Sequence, residues 1–220
     1  MKTRIALLII ACLVLAVAPA MADTLYDNGP INGTVDAWTI NFGFSVTNSF
    51  YCSHQDCSVE DLHIGVWLPV GDTLTSVEMQ LGSTSFGNQY TDQVLNAVGQ
   101  TNLFVNNFGE QVALVDFSLA NVDVCLHNSG PCTSWITLLN AVTPLGNPVY
   151  WDENSGVGCG SQGCPSSAFE NTLGSIPSEA FTITGTATGT TGTTPEPSSI
   201  MLFGSGILGL AGVLRRKLTR

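Results

Sequence analysis

Apolar and polar residues alternate along the middle of the chain with a period of two. The alternation is plain in Trp38-Thr39-Ile40-Asn41-Phe42 and Phe44-Ser45-Val46, and it returns over residues 62–67 and 74–81. Such a period puts successive side chains on opposite faces, as in half-buried strands. Further strands are expected over 112–119, 122–126, 135–142, 148–151 and 180–183. Turn formers separate them, among them Asp27-Asn28-Gly29-Pro30, Asn32-Gly33, Gly71-Asp72, Gly87-Asn88 and Gly146-Asn147-Pro148. No segment of this region keeps an apolar stripe at helical spacing. The pattern predicts an all-β fold, an antiparallel, jelly-roll-like β-sandwich over residues 23–183.

Both ends break the alternation. Residues 1–22 begin with Lys2 and Arg4, run apolar over 5–18 and close on Ala20-Met21-Ala22. That order predicts an N-terminal signal peptide removed before Asp23. The apolar run is shorter than the roughly 20 residues a spanning helix needs. Near the other end, residues 198–214 are uncharged and lead straight into Arg215, Arg216 and Lys217. As a helix this run covers roughly 25 Å at about 1.5 Å per residue, which predicts a C-terminal single transmembrane helix. The basic cluster acts as the stop-transfer signal and places the tail in the cytoplasm. Residues 184–194, made only of Thr, Gly and Ala, have nothing to bury and read as a flexible linker. The organisation is therefore 1–22 signal peptide, 23–183 domain, 184–194 linker and 195–220 sorting segment.

Charge sharpens the division. All six Lys and Arg lie in the end segments, so residues 23–194 contain none, while they hold every acidic residue except Glu196. A domain without cations cannot neutralise phosphates, which excludes nucleic acid as a partner. Its acidity reads as solubility at a surface, the alternative being attraction of divalent cations. Of the seven cysteines, Cys12 leaves with the signal peptide. The other six fall into close pairs, Cys52 with Cys57, Cys125 with Cys132 and Cys159 with Cys164, and export predicts three local disulfides. The rival is a metal site, but no pair has the two-residue spacing of zinc sites and His54, His63 and His127 complete no ligand pattern.

Pro195-Glu196-Pro197 stands between the linker and the apolar run. Proline fixes the backbone around it, which suits presentation to a protease just outside a bilayer. With the apolar run and the terminal Arg-Arg-Lys, the arrangement closely resembles the PEP-CTERM sorting signal of exported proteins in Gram-negative bacteria that make exopolysaccharide. The resemblance covers roughly the last 26 residues. It implies export through the Sec translocon, a membrane-anchored intermediate, cleavage by exosortase near Pro195, Glu196 and Pro197, and delivery to the cell surface or extracellular matrix. The body is similar to the β-rich passengers found with this signal, which carry no assigned activity.

No Gly-x-Ser-x-Gly elbow marks a nucleophile, and the adjacent carboxylates Asp152 and Glu153 point to opposite faces if they lie on a strand. The chain is therefore not expected to be an enzyme, nor to need a cofactor. Binding is the better prospect. In Tyr150-Trp151-Asp152-Glu153-Asn154 an aromatic pair runs into three oxygen-bearing side chains, suited to stacking on sugar rings and hydrogen-bonding their hydroxyls. Asp152 and Glu153 are also the candidate ligands for Ca²⁺, which takes carboxylate oxygens. A structural or adhesive surface protein leads, a carbohydrate-binding, lectin-like module with exopolysaccharide as partner follows, and a glycan-active enzyme comes third.

Overall fold

In Ser76–Gly82, Val77, Met79 and Leu81 are wholly buried and the residues between them are half-exposed, so the alternation read in the sequence becomes the inner and outer faces of a strand. The computed structural model describes residues 22–54, 56–125, 131–154 and 157–188. The expected signal peptide, the transmembrane helix, Pro195-Glu196-Pro197 and the cluster Arg215, Arg216 and Lys217 lie outside the described residues. Among the described residues every regular element is a strand, and no helix is long and apolar enough to cross a membrane. In chain order they are β1 (Asp23–Asp27), β2 (Ala37–Thr39), β3 (Ser45–Cys52), β4 (Asp56–Pro69), β5 (Ser76–Gly82) and β6 (Thr91–Val105). Then come β7 (Glu110–Val124), β8 (Cys132–Val142), β9 (Tyr150–Asp152), β10 (Ala168–Glu170), β11 (Gly174–Ile176) and β12 (Phe181–Thr188).

The strands pair antiparallel in the order β1-β12-β4-β7-β6-β5-β8-β3-β10-β11, with β9 beside β4 and β2 beside β9. The all-β, antiparallel expectation is met. Where a sandwich has two separate sheets, this chain carries one curled sheet, a half-barrel. Strand β6 makes the corner: residues 91–96 pair with β5 and residues 97–105 with β7. Each half of β6 thus has a partner on one side only. That explains its exposure, with Val94 and Val98 facing solvent, and its polar composition, which protects an open edge. The same composition hid the strand from the alternation test.

Curling brings β1 toward β3 across the core. The Tyr26 ring lies 6.3 Å from Phe50 and 5.6 Å from Phe181, and all three side chains are buried. The interior around them is apolar, with Leu62, Ile64, Phe117, Ile136 and Leu138 at or near zero exposure. The three local disulfides form as expected, Cys52–Cys57, Cys125–Cys132 and Cys159–Cys164. They close loops of five to seven residues, worth about 2 kcal/mol each on the chain-entropy account. Cys52 and Cys132 are also register partners, so two bridges pin the same end of the β3–β8 pair.

One boundary needs correction. Residues 184–188, read as linker, continue β12 and pair with β4 from Asp61 to Asp56. Backbone hydrogen bonds to β4 need no apolar side chain, and β-branched Thr suits a strand, so the absence of buriable residues misplaced the domain end. The glycine at position 185 has a specific reason. A Cβ there would collide with the Ser58 carbonyl oxygen and crowd Leu25, at the irregular step between Thr184 and Gly185. Gly185→Ala should lower stability by about 1–3 kcal/mol, read as a fall in Tm. An unchanged Tm would return Gly185 to the linker.

Candidate functional site

Folding separates the residues of the 150–154 stretch. Strand β9 lies between β2 and β4, with Trp151 registered against Trp38 on one side and Val66 on the other. Trp151 is wholly buried, packs edge-on against Phe181 at 5.7 Å, and donates its indole N–H to the Ala180 carbonyl at 3.0 Å. This corrects the expectation of a stacking surface: an indole enclosed on both faces has none left for a sugar. Asp152 is equally buried. Its carboxylate accepts hydrogen bonds from the backbone N–H of Asn32 (2.9 Å) and Gly33 (3.0 Å) and from the Trp67 indole N–H (2.6 Å). Those donors occupy the oxygens that a cation would need. Among the described residues no group of three or more His, Cys, Asp or Glu side chains is placed to hold a metal ion. Asn154 donates to the Pro30 carbonyl, and Glu153 forms an antiparallel bridge with Glu179. These buried polar groups therefore tie β9 to the chain on either side of it.

Tyr150 alone of the five turns toward an opening. With Trp67, Phe108, Asp36, Ala37 and Glu110 it lines a cleft of about 220 Å³. Phe108 stacks on Trp67 with ring centroids 5.4 Å apart and planes 24° from parallel, yet remains 65% exposed. The Trp67 ring is fixed from behind by Asp152. Phe108 is held by the β6–β7 turn, where Asn106 Oδ1 accepts from the N–H of Phe108 (3.0 Å) and Glu110 (2.9 Å). Glu110 Oε2 is buried without a hydrogen-bond partner. Flat apolar rings beside carboxylate acceptors suit a ligand with one apolar face and hydroxyl donors on its rim. Sequence reasoning counted Tyr150 among the possible stacking residues and missed Phe108 and Glu110. The turn Asn106-Asn107-Phe108-Gly109 was the available signal, since it exposes a large aromatic at a hairpin tip. His63, the best-placed imidazole, bonds Asp116 through Nδ1 at 2.6 Å, on the neighbouring strand and away from this cleft.

The comparison with protein families decides what the other end of the chain is for. The model of the PEP-CTERM protein-sorting motif matches residues 193–217. The chain carries a PEP-CTERM protein-sorting motif. The match takes in Pro195, Glu196, Pro197, Arg215, Arg216 and Lys217, the residues on which the resemblance was drawn. It implies an exported protein that is sorted by exosortase and held at the membrane before processing. No curated protein and no solved structure matches the chain significantly. The cleft and the β-rich fold around it belong to the passenger of this motif.

The PEP-CTERM passenger must manage its acids without a single Lys or Arg between residues 23 and 194. Burial pushes the Asp152 carboxyl up to about 6, against the pull of its N–H donors. Glu179 is wholly buried, both of its oxygens lack hydrogen-bond partners, and burial followed by the charges of Glu153, Asp152 and Asp36 holds it well above the ordinary carboxylate range. Both groups bind protons more tightly folded than unfolded, so their stabilisation is complete below the unfolded carboxylate range and is lost as pH rises through the folded values. Asp72 and Glu170 behave oppositely. Burial acts against them, but hydrogen bonds from Thr73 and Asn147, and from Thr172 and Leu173, hold them below their usual values, so their stabilisation is lost in strong acid. Tm should therefore peak in mild acid near pH 5 and fall toward pH 7.5, with Asp152 contributing about 1–2 kcal/mol of the change. Glu179→Gln should flatten the decline. A Tm that rises from pH 5 to 7.5 would contradict this assignment.

Proposed function

We propose that the protein is a non-catalytic structural or adhesive component of the cell surface or extracellular matrix in an exopolysaccharide-producing Gram-negative bacterium, working without a cofactor. The observation that carries this reading is the sorting motif at 193–217 joined to a disulfide-pinned passenger. The motif supplies the address. The passenger supplies durability, through a continuous apolar interior and three bridges suited to an oxidising environment. Its cation-free surface favours neutral polymers over nucleic acid or other polyanions.

A second reading is favoured by the cleft: a carbohydrate-binding module that holds neutral glycan on Phe108, backed by Trp67. Stacking on the exposed ring of Phe108, which the buried Trp67 supports from behind, and hydroxyl bonds to Asp36 and Glu110 account for that use without any reacting group. Both readings are tested on the full chain. In the host, replacing Pro195, Glu196 and Pro197 by alanine should leave the protein in the membrane fraction and deplete it from the surface and matrix; unchanged fractionation would contradict the sorting assignment. Co-sedimentation with the host's own exopolysaccharide, with and without Ca²⁺, separates the two roles. Saturable, Ca²⁺-independent binding weakened about tenfold or more by Phe108→Ala supports the carbohydrate-binding reading. Presence in the matrix without saturable binding supports the structural one, and release of sugar from the polymer would contradict both.

A further inference from the structure

A second cleft, of about 340 Å³, meets the first at Ala37, which lines both. Trp38, Phe44, Glu170 and Leu173 are the residues that give it chemistry. Glu170 ends β10 and is 3% exposed. Its Oε2 closes the β10–β11 turn by accepting from Thr172 N–H (2.9 Å), Thr172 Oγ1–H (2.6 Å) and Leu173 N–H (2.8 Å). The other oxygen, Oε1, is buried and has no partner, and the indole N–H of Trp38 is likewise buried and unpartnered. Two residues that line the cleft thus carry one unused acceptor and one unused donor. Leaving buried polar groups unmatched is costly, so each calls for an explanation.

The chemistry of the pair selects the ligand. Although burial alone would raise it, Glu170 is held below the usual range by the bonds from Thr172 and Leu173, so at neutral pH the carboxylate only accepts. An anion would meet that charge with no Lys or Arg between residues 23 and 194 to offset it. A divalent cation such as Ca²⁺ takes roughly six to eight oxygen ligands, and Glu170 is the one acid lining the cleft. A neutral hydroxyl, which both donates and accepts, matches the chemistry of both groups: it can donate to a carboxylate oxygen such as Glu170 Oε1 and accept from an indole N–H such as that of Trp38. Phe44 (41% exposed) and Leu173 (68% exposed) add apolar walls of the kind that meet the C–H face of a sugar ring. The cavity falls at the lower end of the roughly 300–1,000 Å³ found for small-ligand sites.

We propose that the Trp38–Glu170 cleft is a hydroxyl-binding subsite for a neutral glycan chain, continuous across β2 with the Trp67–Phe108 cleft. Shared lining at Ala37 makes an extended chain, rather than a single sugar, the ligand that fills both. The proposal rests on the carbohydrate-binding reading and adds to it a second subsite and a preference for length.

The test measures Kd for the detergent-solubilised full chain, disulfides intact, against neutral oligosaccharides of increasing length, by calorimetry and by tryptophan fluorescence. Wild-type affinity should rise with chain length. Glu170→Gln keeps a carbonyl for the 172–173 turn while placing an amide N–H₂ where Oε1 was, so it should weaken long chains about tenfold or more and leave short ones little changed. Trp38→Phe, which keeps a ring and removes the donor, should do the same and decides the matter if Glu170→Gln does not fold. Phe108→Ala should weaken every length. If both Glu170→Gln and Trp38→Phe bind long chains as wild type does, while Phe108→Ala loses them, the subsite is overturned and the carbohydrate-binding reading stands. If wild type binds no oligosaccharide of any length, both fall.

Discussion

The buried carboxylate of Asp152 is the interaction on which the rest of this structure turns. It sits at the end of a three-residue strand that is too short to hold itself, and it gathers three N–H donors from two other parts of the chain. The amides of Asn32 and Gly33 belong to the turn that leads toward β2, and the indole of Trp67 belongs to β4. One side chain thereby docks β9, fixes the approach to β2 and sets the plane of the ring that floors the exposed cleft. Gly33 is suited to its place, because φ of +61° directs its N–H at the carboxylate and a Cβ there would press on Val112 and Phe104. Gly65, beside the same carboxylate, leaves room for Ile31 and for Asp152 itself.

This arrangement is costly in charge and informative for that reason. Carboxylates buried beside one another are normally offset by Arg or Lys, and this domain has neither. It uses backbone and indole N–H groups at Asp152, hydroxyl and backbone donors at Glu170, and at Glu179 a proton affinity raised by burial and neighbouring acids. The same economy of cations shapes the outer surface. Clefts lined by aromatic rings and acceptor oxygens are suited to neutral, hydroxyl-rich partners, and they flank the short strand that Asp152 helps to place. Fold and electrostatics thus suit the proposal that this exported protein makes its contacts by stacking and hydrogen bonding.

Much of the fold was legible because a period of two is a direct consequence of strand geometry. The alternation located β4, β5, β7 and β8, and the three disulfides followed from spacing and export. What escaped did so for physical reasons. Strand β6 turns the corner with one partner at a time and carries polar residues on an open edge. The tail of β12 is held by backbone pairing to β4, which leaves no mark on the hydropathy of Thr and Gly. The site was legible only in part. Tyr150 reaches the cleft, but Trp151 turns inward, since adjacent residues on a strand face opposite ways and the inner face here is the core. Phe108 and Glu110 meet Trp67 through the pairing of β7 with β4, and Glu170 lines a cleft with Trp38 from a distant part of the chain, neither of which sequence spacing records.

The most direct test of this account is hydrogen exchange in Asp152→Asn, followed at the Asn32 and Gly33 amides and the Trp67 indole. The asparagine keeps one carbonyl oxygen and puts an amide N–H₂ where the other oxygen was, so at least one of the three donors meets a donor instead of an acceptor; protection there should fall by about tenfold or more while that of the β7–β8 interior is kept. Protection at all three positions equal to that of the wild type would contradict the central role given to Asp152.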